Sequence, residues 1–226
     1  RGGVAGRGGE VHRANAVGQA GKAADQARAS TTDAQATVMK MGDGGFRPAY
    51  NPQLASDVDS LVIVGVEVAT IGSDQGQMVP MIEQVRERCG QTPEAWLVDG
   101  GFVGHEQVEQ ASAHTTVYGP VPAAKDKAVD PHQPKPDDSP GVAAWRARMG
   151  TDEAKAIYKN RAATAECVNA HSRNRGLQQF RVRGLAKVKC VVLFFALAHN
   201  LMRMASLAPE MLAFGKGASA VSGIGA

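Results

Sequence analysis

The sequence predicts an α/β fold, a mixed sheet flanked by helices, and three observations carry that prediction. Strand-like runs alternate with helix-period runs in the order hairpin, strand, helix, strand, helix, strand. The runs LVIVGVEVAT (residues 61–70) and AWLV (95–98) are apolar enough to need cover on both faces. The second of these leads straight into Asp99 and two glycines, which puts a carboxylate at the carboxyl end of a buried strand. Ligand sites of open α/β sheets collect at such strand ends.

Taken in order, residues 1–30 hold seven glycines and almost no large apolar side chains, so they are expected to be disordered or of low complexity. TVMKM and FRPAYNPQLASD flank GDGG, a hairpin signal in which Asp43 is a turn residue. LVIVGVEVAT follows as a third strand. A helix should then open at Ser73 or Asp74, carry Pro80 in its first turns, show Met78, Ile82 and Val85 on one face, and stop at Gly90. The strand ending at Asp99 is expected to be central in the sheet, followed by the helix HEQVEQASAH and the strand TTVYGP. Residues 31–118 thus form the first part of one domain, and 119–150, dense in proline, an insertion or mobile linker. Helix returns over 151–208, capped by Thr151 or Asp152 and broken at Gly176, and a Gly/Ala/Ser-rich tail over 209–226 is expected to be flexible.

The chain of 226 residues, 43% hydrophobic, can bury a sizeable core. Cys89, Cys167 and Cys190 stand apart without a CxxC pair, which fits a reducing, cytoplasmic setting and gives no structural zinc motif. Cys167 and His171 are four apart, but no second ligand pair answers them. CVVLFFALA (190–198) is about half the length a membrane helix needs and reads as a buried core helix; no apolar signal segment opens the sequence, and no membrane partner is expected. The net charge of +3 hides an uneven distribution: residues 155–189 carry nine Lys/Arg against the single acid Glu166. Such a block suits a polyanionic partner or a solvated helix face, and charge alone leaves the two open.

The candidate chemistry lies in two acids and their cationic surroundings. Glu166 pairs with Arg161 or Arg173 for charge balance, or else is a metal-binding carboxylate that meets Asp99 while neighbouring cations grip phosphates. Trp96 and Trp145 could stack on bases, although core packing is the commoner use. His199 and Asn200 suit helix-pairing hydrogen bonds better than catalysis, and RVRGL (181–185) is either a phosphate grip or an exposed basic loop.

YKNRAATAECVNAHSRNRGLQQFRVRGLAKVK, followed by ALAHNLMRM, resembles the C-terminal signature of DDE-class transposases of bacterial insertion sequences. Tyr158, Arg161, Glu166 and Arg173 fall on its helical positions, DGGFRPAYNPQLASD resembles the second and third strands of that catalytic domain, and WLVDGGF resembles the strand of its second catalytic Asp. The resemblance spans about residues 30–208. It implies a ribonuclease-H-like fold, with Asp99 and Glu166 as two of three metal-binding carboxylates and Mg²⁺, or Mn²⁺ in its place, as cofactor. It also implies transposon-end and target DNA as partners, gripped by Arg161, Arg173, Arg175, Arg181, Arg183 and Lys187, and a homodimer in the intact family enzyme.

The family's first catalytic Asp stands on a first strand, in a DGT-like motif ahead of the region of Thr31, and no such motif occurs here. Asp25 lies in AADQAR without a strand around it, and Asp33 and Asp57 resemble non-catalytic positions. The sequence therefore reads as the C-terminal portion of the catalytic domain, incomplete at its N-terminus. That portion is expected to bind DNA weakly without cutting it, unless Asp57 or Asp59 serves as third ligand. A non-catalytic DNA-binding remnant and a stand-alone nuclease of the same fold are the other readings.

Overall fold

The computed structural model describes residues 30–212. The segment expected to be disordered, up to residue 29, and residues 213–226 of the expected flexible tail lie outside the described residues. The fold is mixed α/β, built from six short strands in three two-stranded sheets with helices against them.

β1 (Thr37–Lys40) and β2 (Phe46–Ala49) form an antiparallel hairpin. Gly44 supplies the positive φ of its turn (82°), and the Asp43 carboxylate accepts the Gly45 N–H at 3.0 Å while pairing with Arg47. The first DGGF is thus a turn. The expected long strand breaks at Tyr50, and β3 (Asn51–Ser56) pairs antiparallel with β4 (Ile63–Ala69) instead. β5 (Ala95–Leu97) and β6 (Thr116–Tyr118) pair in parallel. The expectation of one mixed sheet with the Asp99 strand at its centre is corrected here. Among the described residues β5 pairs with β6 alone, and its other edge faces a cavity rather than a strand.

α1 (Met78–Cys89) carries Pro80 in its first turn and ends at Gly90, whose φ of 71° closes the helix in the left-handed form. It starts later than Ser73 and Asp74 suggested, with Gln77 at the cap position. Asp74 is drawn away instead, since its carboxylate accepts hydrogen bonds from Asn51 and Gln53 of β3 at 2.8 and 2.7 Å. α2 (His105–Ser112) connects β5 to β6.

A further helix, α3 (Pro140–Met149), lies inside the segment expected to be a linker. Pro140 sits where its missing N–H costs nothing, and Glu109 of α2 caps the turn by accepting from the Ser139 hydroxyl (2.5 Å) and the Gly141 N–H (2.7 Å). Those bonds, the Ser139 one foremost, hold the Glu109 carboxyl below its ordinary range. Residues 119–139 contain no helix or strand but are pinned to α3. Arg146 reaches the Pro131 carbonyl (3.1 Å) and makes a buried ion pair with Asp138 at 2.7 Å. Fully buried Trp145 donates its indole N–H to the Gly119 carbonyl.

Thr151 caps α4 (Asp152–Arg161) by accepting the Ala154 N–H, as the sequence suggested. One π-helical turn, Ala162–Glu166, joins it to α5 (Cys167–Asn174). α6 (Leu185–Leu207) is capped from far along the chain: Asp33 accepts the Gly184 N–H at 2.9 Å and Gln35 the Leu185 N–H at 2.8 Å. Burial alone would raise the Asp33 carboxyl, but bonds from Gly184, the Tyr50 hydroxyl and its own turn bring it below the ordinary 3.8.

Two cores result. In the first, Met78 and Ile82 of α1 meet Val98, Val108, Val117, Val142 and Trp145. In the second, Val66 and Val68 of β4 meet Val168 of α5 and Val188, Val192 and Ala196 of α6. Only that face of α6 is buried. Phe194 is 65% and Leu197 54% exposed, so the expected core helix is one by half. It is long and apolar enough to cross a membrane by length and composition. Its buried face nevertheless carries His199, whose Nε2 lies 2.8 Å from the Leu61 carbonyl.

Candidate active site at the end of β5

The site is built where β5 ends. β5 delivers Asp99, and two glycines follow because the space beside it is occupied. A Cβ on Gly101 would lie 3.1 Å from both Asp99 Oδ1 and Asp74 Oδ2. Asp74 and Asp99 are therefore neighbours, and the start of β3, tied to Asp74 through Asn51 and Gln53, lies beside the end of β5. β3 and β5 consequently run in opposite directions. Asp74 had been read as a helix cap. The signal that could have found it is the one that found Asp99, a carboxylate in the loop just after a strand.

The second predicted acid, Glu166, is the last residue of the π turn. A π turn inserts an extra residue and re-aims the side chains that follow it, and such turns are frequent at functional sites. Arg161, the last residue of α4, joins the two acids. Its Nη1 lies 3.9 Å from Asp99 Oδ2 and its Nη2 3.8 Å from Glu166 Oε1. The Tyr158 ring supports the guanidinium from 5.8 Å. The structure thus brings Asp99 and Glu166 to the two ends of one planar cation, across the stretch between β6 and α4. Both acids are accessible, Glu166 being 67% and Asp99 45% exposed at the side chain, which keeps the attraction to Arg161 weak by screening.

Neither acid pair makes a complete metal centre. Among the described residues no group of three or more His, Cys, Asp or Glu could hold an ion. Cys167 and His171 are 3.7 Å apart at Sγ and Nε2, again without a third ligand. Asp57, weighed as a stand-in, is committed to its own turn, where it accepts from the Ser60 hydroxyl (2.6 Å) and N–H (2.8 Å). Those bonds, the hydroxyl first, lower its pKa.

The predicted DNA-binding cations divide into two groups. Arg161 is taken up by the acids. Arg173, Arg175, Arg181, Arg183 and Lys187 are exposed and make no ion pair among the described residues. Arg175 does touch His199, at 3.4 Å from Nδ1. Trp96 is half-buried against the first core and Trp145 is fully buried, so neither offers a free ring face.

A cavity of about 680 Å³ opens beside the acids. Its walls are two strand edges, residues 51–59 along β3 and 93–99 along β5, with Met78, Met81 and Val85 of α1 on one side and Thr164, Ala165 and Asn169 on the other. Arg161 and Asp99 stand at its rim.

Comparison with known families decides the kind of chemistry to consider. Residues 132–205 match the family described as a transposase DDE domain. This part of the chain is DDE-class transposase sequence. The match runs from the segment before α3 into α6, so it includes Arg161, Glu166 and the exposed arginines, and it leaves β1 to β6 outside. No curated protein and no solved structure matches the chain. DNA is the substrate that a transposase family implies.

Proposed function

We propose that this chain is the C-terminal portion of a DDE transposase catalytic domain of ribonuclease-H-like type, which binds DNA through its exposed arginines and lacks a complete acid set for cutting it. The observation that carries the reading is the meeting of Asp99 and Glu166 at one guanidinium, within a segment whose second half matches the transposase family. Mg²⁺ is the ion such a pair of acids would help to hold, with Mn²⁺ as substitute, and it would supply charge for the phosphate and activate a water. Two carboxylates with an arginine between them do not fit that ion as they stand, because Mg²⁺ demands several oxygen ligands and gives up its waters reluctantly. What these residues do by themselves is hold Arg161 in place and leave the other cations free for phosphates.

The uncut-DNA reading has a direct test. Purified protein with Mg²⁺ or Mn²⁺ and labelled duplex should bind without nicking, and metal-dependent nicking abolished by Asp99→Ala would overturn it. Binding should weaken with salt, and neutralising Arg173, Arg181 or Arg183 should lower the slope of log affinity against log salt by about one unit each. Arg161→Gln should change the slope less, because its charge already faces two carboxylates. Equal changes at all four arginines would show that Arg161 is free to meet phosphate. The same neutralised acid pair favours a second reading, a DNA-binding remnant with no metal chemistry. Calorimetric Mn²⁺ binding that Asp99→Asn removes would exclude that remnant.

A further inference from the structure

The paired strands β3 to β6 treat their edges in two different ways. The outer edge of β4 is covered by side chains. Asn200 both accepts the Ile63 N–H and donates to the Ile63 carbonyl, each at 2.8 Å, and Gln84 accepts the Val66 N–H at 2.7 Å. On β6, Arg148 donates to the Val117 carbonyl at 3.0 Å. No side chain among the described residues bonds to the main chain of residues 51–56 or 95–97. These two bare edges face each other across the 680 Å³ cavity. On β5 the Glu94 carbonyl and the Val98 N–H bond to β6, so strand alternation turns the amides of Ala95 and Leu97 toward the cavity. Bare edges are templates for another strand, and proteins cover them when nothing is meant to dock.

We infer that this cavity is a slot for one extended polypeptide strand supplied by another molecule, which pairs with β3 on one side and β5 on the other. The directions agree with such an occupant. Because β3 and β5 run oppositely, a strand parallel to β5 is antiparallel to β3, and so extends the ladder type that each already has. The slot is as long as the six residues of β3, about 20 Å. Its two sides ask for different side chains. β4 turns Gly65 toward Met81 of α1, and the alternate residues Val66 and Val68 toward α6 and Val168 of α5. The occupant therefore needs an apolar residue at every second position, against Met78, Met81 and Val85, and small or hydroxyl residues toward Thr164 and Ala165. Every strand in residues 30–212 is already paired, and neither 1–29 nor 213–226 contains such an alternating run. Resting on the function proposed above, one further feature follows: an acidic residue at the end of the strand that reaches Asp99 would add the carboxylate that Asp99 and Glu166 lack.

The test uses the full chain and a synthetic peptide. The peptide has a six-residue core alternating valine with threonine or alanine, ends in aspartate and is flanked by lysines. Saturable binding is expected, with slower amide hydrogen exchange at residues 51–56 and 95–97. The same peptide N-methylated at alternate residues keeps its side chains but cannot pair as a strand, and it should bind at least tenfold more weakly. Equal binding of both peptides, no binding at millimolar concentration, or binding without protection at those amides would each overturn the slot. The acidic feature is read separately: Mn²⁺ should tighten the aspartate peptide and leave its asparagine counterpart unchanged. Strand binding that is intact but indifferent to Mn²⁺ keeps the slot and refutes the catalytic reading alone.

Discussion

The outer edge of β4 and the edge of β5 that faces the cavity are made of similar main chain and are treated oppositely. On β4, a side chain from α6 imitates a neighbouring strand: one Asn200 amide supplies both the donor and the acceptor that Ile63 would find in a ladder. Its helix neighbours extend the clamp. His199 meets the Leu61 carbonyl and Arg203 donates to the Ser60 carbonyl at 2.7 Å, which holds Leu61 in its left-handed conformation (φ 59°). On β5, nothing comparable approaches Ala95 or Leu97. The difference teaches that an edge is closed by long-range partners and not by the strand's own residues. A sheet half can be finished on one side and open on the other within the same domain.

The comparison breaks most visibly at Asn200. Asn200→Leu should cost about 2–4 kcal/mol, because two hydrogen bonds go and the Ile63 N–H and carbonyl are left without partners. The denaturant midpoint should fall with an unchanged slope, and light scattering should show self-association through the newly bared β4 edge. Asn200→Asp, which keeps the acceptor and loses the donor, should fall between. A loss under about 0.5 kcal/mol for Asn200→Leu would mean that the edge is protected by packing alone.

The helix that brings Asn200 is itself fixed by Asp33, and this gives the next effect. Asp33→Ala removes the acceptor for Gly184 and Tyr50 and should cost about 1–2 kcal/mol. The pH dependence has a definite sign. The Asp33 carboxyl is lowered in the folded state, so its contribution is complete above its ordinary 3.8 and is lost as pH falls through the lower folded value. Wild-type protein should therefore lose stability below about pH 4 more steeply than Asp33→Asn, in urea titrations at stepped pH. Parallel curves would remove Asp33 from the list of groups that hold α6. Tyr50 is pushed the other way, its phenol raised by burial first and then by the bond to Asp33, and it stays protonated throughout this range.

What the sequence made legible, and what it hid, follows the same division between local and long-range causes. Asp99 was visible because a strand end, an acid and two glycines are contiguous. Thr151, Gly90 and the GDGG turn were visible for the same reason. α3 was hidden because it buries residues around its circumference, Val142, Trp145, Arg146 and Met149, and so shows no apolar stripe, while its cap comes from Glu109 on another helix. The polar pair His199 and Asn200 was legible as a hydrogen-bonding unit, but its partners lie 137 and 138 residues away and no local pattern names them. Of the acids, Glu166 stood out by its charge environment. That Arg161 would stand between it and Asp99 depends on the π turn, which sequence period does not reveal. The open edge of β5 was hidden for the most general reason: alternation says which face of a strand is buried, never how many neighbours it has.

The smallest expected effect is the one that sharpens the comparison furthest, because it separates the two sides of a single strand. Proline removes one N–H and fixes φ, so it is tolerated on a strand only where that N–H has no ladder partner. If the Ala95 amide points into the cavity, Ala95→Pro should change stability by less than about 1 kcal/mol. Across the same rung, the Thr116 N–H donates to the Glu94 carbonyl at 3.0 Å. Thr116→Pro should therefore cost about 1–3 kcal/mol, since it breaks that bond and leaves the carbonyl unpaired. Ala95→Pro should also abolish one hydrogen bond to any strand in the slot, which weakens the valine-rich peptide severalfold while the fold stays intact. If Ala95→Pro unfolds the domain as Thr116→Pro does, the β5 edge is already paired with something and is not bare. If it is harmless and the peptide binds undiminished, the peptide does not pair with β5.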